Sequence, residues 1–203
     1  MYKPSYSVIE SRELALELVK EFPFGLLVST HAGKIEANYL PFLIVEENHE
    51  MILLSHLAKA NSHWTRFDGE VLVSFQGPNR YISPTIYINK LNVPTWSYAT
   101  VQIRGTVEIV SDRDGLKDIL SRTVHFFEEA NTTSWSYELP MQMQHSLEAA
   151  IVGIKIRIVN LESKFKLSQN RNKEDYQAVV DHFRESMDPK DRELHKWMVK
   201  TKT

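Results

Sequence analysis

The stretch YATVQIRGTVEIV, residues 98–110, alternates apolar and polar side chains: Val101, Ile103, Val107 and Ile109 fall on one face, Gln102, Arg104, Thr106 and Glu108 on the other. A period of two marks a half-buried strand, whose second face meets water, a partner or a ligand. Residues 151–159 repeat the pattern, with Ile154, Ile156 and Ile158 opposite Lys155 and Arg157. Upstream, FGLLVST, the turn His31-Ala32-Gly33, IEANYLPFLIV, the polar turn EENHE and MILLSHL read as successive strands joined by hairpin-like connections.

Helical spacing interrupts these strands. Ser7 and Glu10 fit a capping box, and Leu14, Leu18 and Val19 form an apolar stripe behind them, so a helix is expected over 8–21, ending before Pro23. Residues 112–129, with Asp112 as cap, and residues 139–149 predict two more. Residues 173–187 and 189–200 are charged, with Tyr176, Val179, Val180 and Phe183 as their apolar positions. Six or more short strands interrupted by helices predict a mainly β, α+β fold, an antiparallel barrel with helical decoration. The expected division is one barrel domain over 1–172 and a helical C-terminal extension over 173–203.

Composition narrows the functional classes. A net charge of −2 over 203 residues gives no global attraction to nucleic acid, so a polyanion site would have to be a local patch. With no cysteine, disulfides, thiolate nucleophiles and cysteine-ligated metals are excluded. The eight histidines show no H-x-x-x-H or H-E-x-x-H spacing, so no metal site is expected. No G-x-S-x-G elbow is present, and no apolar run reaches the roughly 18 residues of a membrane span. The expectation is a soluble cytoplasmic protein without a membrane partner.

Four polar constellations stand out. SHLAKANSHW, 55–64, can aim Ser55, His56, Lys59 and Asn61 at one anionic group, although an ordinary strand-to-helix turn with a solvated lysine has the same composition. FQGPNRYISP, 75–84, and VPTWSY, 93–98, fix the backbone with prolines and offer Tyr81, Tyr87, Trp96 and Tyr98 as flat amphipathic surface for an aromatic ligand, a partner subunit or their own core. Gln102 beside Arg104 suits a planar polar ligand or plain solvent. In ESKFKLSQNR, 162–171, Phe165 and Leu167 alternate with Lys164, Lys166 and Ser168. The segment 155–173 carries six cations and one anion, a local +5, before a helix start at Asn172 or Lys173. That density favours an anion, since free helix N–H groups add to the side chains.

Taken in order, FGLLVS, LPFL, SHLAKANSHW, FQGPNRYISP, VPTWSY, AIVGIKI and KFKLSQNR resemble the PaiB family, negative transcriptional regulators of protease synthesis and sporulation, over nearly the whole chain. The resemblance implies an FMN-binding split β-barrel, the fold shared with pyridoxamine-phosphate oxidases and flavin reductases, built as a homodimer. It implies FMN as cofactor, ahead of haem, with Lys59 as the phosphate cation, His56 and Asn61 as supporting donors, and Gln102 near the flavin. Trp96, Lys164, Gln169 and Arg171 belong to the family's signatures, and with Lys166 they are candidates for a further ligand or an interface. The chain departs from the family at Tyr39, where many relatives carry histidine, and at Ile86, where they carry tryptophan. The Tyr39 change removes a candidate haem ligand or proton donor.

Two functions are consistent with these residues, beside a purely structural module in which KFKLSQNR braces the C-terminal helix against the barrel. One is a PaiB-type repressor whose split barrel senses a small ligand, contacting DNA directly or through a partner. The other is a flavin- or haem-dependent oxidoreductase or cofactor carrier with an indirect regulatory effect. The helices NKEDYQAVVDHFRESMD and KDRELHKWMVK carry mixed charge, whereas a recognition helix presents a basic, phosphate-facing surface.

Overall fold

The computed structural model describes residues 1, 2, 4, 11–129 and 135–202. The chain forms two compact units. Phe22–Phe75 with Gln102–Leu161 make up a sheet unit, and Met1–Glu21, Gln76–Val101 and Glu162–Thr203 a terminal unit.

In the sheet unit, β1 (Phe24–His31) and β2 (Lys34–Pro41) form a hairpin, as do β3 (Leu43–Glu47) and β4 (Glu50–Ala58). Three longer strands follow: β5 (Glu70–Ile82), β6 (Thr95–Val110) and β7 (Ile151–Lys166), each contributing residues to both units. The antiparallel sheet runs β2-β1-β5-β6-β7-β4-β3, so it is open, with β2 and β3 at its edges. The single strand expected across IEANYLPFLIV is two strands. Phe42 breaks it, its N–H bonding the Pro23 carbonyl at 2.9 Å and its ring meeting Phe75 edge-on.

The alternation in β6 holds from Val101 to Gly105 and then changes phase. Ile109 is exposed and Val110 is buried in a cluster with Leu43, Ile52, Leu54 and Ile119. Gly105 marks the change: a Cβ there would lie 2.2 Å from the Arg157 carbonyl oxygen, so only glycine admits that backbone. The helices α2 (Arg113–Glu128) and α3 (Met141–Ala149) match expectation to within two residues, and Asp112 caps α2 by accepting the Gly115 N–H at 2.9 Å.

The terminal unit holds α1 (Arg12–Glu21), α4 (Lys173–Glu185) and α5 (Pro189–Lys200). Ser11 caps α1 through the Leu14 N–H; the pair Ser7 and Glu10 lies outside the described residues. Phe165, Leu167, Val179, Phe183, Leu194 and Trp197 are buried here, with Phe165 stacked on Trp197 at 5.8 Å. Burying each such side chain contributes about 1.5–3 kcal/mol. Arg80 ties β5 to the start of α5 through Asp188, at 2.8 Å, and Asp191. Among the described residues, no helix is long and apolar enough to cross a membrane.

Candidate functional site

The loop after β4 places its polar residues unequally. Asn61 caps the 3-10 helix Ser62–Thr65: its carbonyl oxygen accepts the His63 N–H at 3.1 Å, and its amide nitrogen donates to Asn38 at 3.2 Å. The Asn38 amide nitrogen can only donate, so at 2.7 Å it fixes His63 Nδ1 as an acceptor and leaves the imidazole proton on Nε2. Nε2–H then meets Ser29 Oγ at 2.7 Å, and that hydroxyl donates to the Arg66 carbonyl at 3.1 Å. His63 is 1% exposed. Burial, the largest influence, pushes its pKa below the ordinary value; Arg66 acts the same way and Glu36 opposes. The amide of Asn61 is thus engaged inside a buried network. In the sequence His63 carries one signal, Asn61 two residues earlier at a helix-capping spacing.

Lys59 stands differently. Its backbone is held on both sides, the N–H by the Ala150 carbonyl at 2.8 Å and the carbonyl by the Trp64 indole at 3.0 Å, while its side chain is exposed. It lines a cavity of about 200 Å³ together with Arg113, His145 and Glu148. Glu148 is 3% exposed, lies 3.4 Å from Arg113 Nε, and has no hydrogen bond to either carboxylate oxygen among the described residues. Arg113 is the first helical residue after the Asp112 cap, and nothing in the sequence distinguishes it from an ordinary helix-surface arginine.

His56 is half-buried on β4; its Nδ1 has no partner among the described residues, and burial lowers its pKa. Ser55 bonds the Pro41 carbonyl at 2.7 Å and faces the core. Gln102 is half-buried on β6, in the same unit as His56, Lys59 and Asn61. For a phosphorylated flavin, Lys59 supplies a cation and the orphaned His56 nitrogen one unmet polar group, while Arg113 already faces the Glu148 carboxylate. Asn61 is engaged elsewhere.

The second set, Trp96, Lys164, Lys166, Gln169 and Arg171, lies wholly in the terminal unit. ESKFKLSQNR is the end of β7 and the turn into α4, with Phe165 and Leu167 buried as the alternation predicts. Gln169 folds back on the chain: its carbonyl oxygen accepts the Leu167 N–H at 2.6 Å, and its amide nitrogen donates to the Phe165 carbonyl. Ser168 between them has a left-handed φ of 64° and is buried against Ser97, hydroxyl to hydroxyl at 3.2 Å. Lys164 sits 5.5 Å from the ring centres of both Tyr2 and Tyr98. Arg171 lies over the Tyr87 ring at 4.6 Å and donates to Asn92 at 2.7 Å. The anion expected at the α4 start is supplied by the chain: buried Asp175 accepts from the Asn89 N–H at 2.9 Å and from Asn92 and Asn172. The Asn89 bond leads the influences that hold its pKa below the usual carboxylate range.

A family model described as "Putative FMN-binding domain" matches residues 1–160. Protease synthase and sporulation protein PAI 2 of Bacillus subtilis is 32% identical over 202 residues, covering 98% of this chain and 96% of the relative. The chain belongs to the PaiB family. Among solved structures, the FAD and heme binding protein of Mycobacterium smegmatis has a TM-score of 0.57 at 15% identity, covering 78% of this chain and 72% of that one. The flavocytochrome Anf3 of Azotobacter vinelandii gives 0.57 at 11%, covering 77% and 68%. These likenesses establish the fold: it is of the split-barrel type that the sequence predicts, with a sheet that is open rather than closed.

Proposed function

We propose that the chain is a flavin-binding member of the PaiB family, holding FMN in the sheet unit with Lys59 as the phosphate cation, and that it acts as a negative regulator whose split barrel senses a small ligand. The observation that carries the flavin reading is the pinned backbone of Lys59, whose exposed ammonium has no carboxylate partner among the described residues and lines a cavity large enough for a phosphate. Fixing the lysine's backbone reduces the conformational freedom lost when its ammonium meets an anion. The flavin, when bound, supplies redox or light-absorbing chemistry; the chain's residues bind and orient it. FMN titration followed by flavin fluorescence tests this. Saturation at one flavin per chain, weakened about tenfold or more in Lys59→Ala, supports the placement. Unchanged affinity in that variant removes Lys59 from the site.

For the regulatory step, the paired charges of the terminal helices favour action through a partner. Arg184 is paired with Asp181 at 2.9 Å, Lys196 with Glu21 at 2.9 Å, and Lys200 with Glu17. Cations already paired with carboxylates lose much of their gain from neutralising phosphates. A gel shift at low salt with upstream DNA, using this chain alone, is expected to show no complex. A complex that weakens steeply with salt would establish direct binding instead.

A further inference from the structure

The terminal unit contains a second polar cavity, of about 140 Å³, where the start of β6 meets the end of β7. Its lining includes Trp96, Ser97, Lys166, Ser168 and Arg171. We propose that this cavity binds the oxyanion, phosphate or carboxylate, of a small aromatic molecule whose ring lies against Trp96. This inference goes beyond the flavin reading and does not rest on it, since every residue named is in the terminal unit.

Charge is the first ground. Among the described residues, neither Lys166 nor Arg171 is paired with a carboxylate: Lys166 donates to the Thr95 hydroxyl, and Arg171 to the Asn92 carbonyl oxygen. The nearby acid, Asp175, is saturated by donors from Asn89, Asn92 and Asn172, with Asn92 interposed between it and Arg171. Elsewhere in the unit, Arg80, Lys196 and Lys200 each meet a carboxylate. A guanidinium and an ammonium facing one small cavity present the donor geometry that carboxylates and phosphates accept.

Preorganisation is the second ground. Arg171 is held on the Tyr87 ring, and the turn before it is locked by the two bonds of Gln169. Ser168 keeps a left-handed backbone, a conformation disfavoured for any residue with a Cβ, and thereby brings its hydroxyl to Ser97. Two hydroxyls that share one hydrogen bond leave one proton free to donate. The cavity therefore offers two cations and a spare hydroxyl donor, all on fixed backbone.

Surface selects the rest of the ligand. The cations and hydroxyl of the lining take the oxyanion group, and the exposed indole is what a ring meets beside them. There Trp96 is 54% exposed, its ring held edge-on to Tyr81 at 6.2 Å. A fixed, exposed indole stacks well on a flat ring.

The test is titration of the full chain with phenyl phosphate and with benzoate, read by tryptophan fluorescence and calorimetry, with phenol as the uncharged control. Saturable binding of either anion but not of phenol is expected, the preferred anion identifying the group recognised. Lys166→Gln and Arg171→Gln should each weaken it about tenfold, and Trp96→Leu should remove most of the fluorescence change. Lys59→Ala should bind the probe as the unmodified chain does, which separates failure of this proposal from failure of the flavin reading. Circular dichroism confirms that each variant is folded. Probe affinity unchanged from the unmodified chain in both Lys166→Gln and Arg171→Gln would overturn the proposal. So would the absence of saturation by both anions, with Trp96 emission following protein concentration, which would make this face a contact between copies of the chain.

Discussion

The two motif loops, SHLAKANSHW in the sheet unit and KFKLSQNR in the terminal unit, have similar polar content, yet they use it in opposite proportions. In the first, amide, imidazole and hydroxyl groups satisfy one another: Asn61, Asn38, His63 and Ser29 form one chain of bonds, and the lone cation Lys59 is left outside it. In the second, one amide, Gln169, fixes the backbone, and among the described residues Lys164, Lys166 and Arg171 rest on rings, a hydroxyl and an amide rather than on carboxylates. Neutral polar side chains build each loop, and cations are what each loop presents. A basic motif is best read by asking which of its cations already has an acid.

The largest effect expected from breaking this contrast is in the sheet unit. His63→Ala removes a buried ring and strands Ser29 and Asn38, so stability should fall by about 3 kcal/mol in urea denaturation. Gln169→Ala leaves the Leu167 N–H and the Phe165 carbonyl without their partner and should cost about 1–3 kcal/mol. A loss from Gln169→Ala larger than from His63→Ala would reverse the ranking of the two loops.

Acidification should act in two stages, the histidines of the sheet unit first and the carboxylates of both units second. The folded-state pKa values of His56 and His63 are depressed, so below about 6.5 the unfolded chain takes up protons that the folded chain refuses. Stability from these groups is complete above that value and declines as pH falls through their lower folded values. Asp175, also depressed, contributes above about 4 and loses its contribution as pH falls through its folded value. Denaturation midpoints across pH should therefore fall in two stages, the first smaller in His63→Ala and the second smaller in Asp175→Asn. The smallest effect is expected from the exposed Lys59 and the half-buried Lys166: Lys59→Ala and Lys166→Gln should change stability by no more than about 0.5 kcal/mol. A larger loss would make either cation a structural brace.

Much of this arrangement was legible in the residues. Caps at Asp112 and Asn172 and the buried pair Phe165 and Leu167 follow from local rules that act within four positions. What was not legible depends on distant partners. Phe42 interrupts a continuous apolar run because its N–H is taken by Pro23, and Val110 is buried in place of Ile109 because Leu43, Ile52 and Ile119 converge on it. The engagement of Asn61 and the burial of His63 rest on Asn38 and Ser29, which come from two other strands. At the α4 start, the sequence showed the cations but not that Asp175, three residues past the cap, answers the helix's demand for an anion.

Ser168 carries a consequence for substitution. Its backbone suits an achiral residue or one of the opposite hand, because a left-handed φ of 64° crowds an L-residue's Cβ. Its hydroxyl, however, reaches Ser97 only from the L configuration it has. Glycine would relax the chain and lose the hydroxyl; D-serine would relax it and point the hydroxyl elsewhere. Chirality and hydrogen bonding thus bound this position from opposite sides, and a saturation scan there should separate residues that preserve the turn from the few that preserve its chemistry.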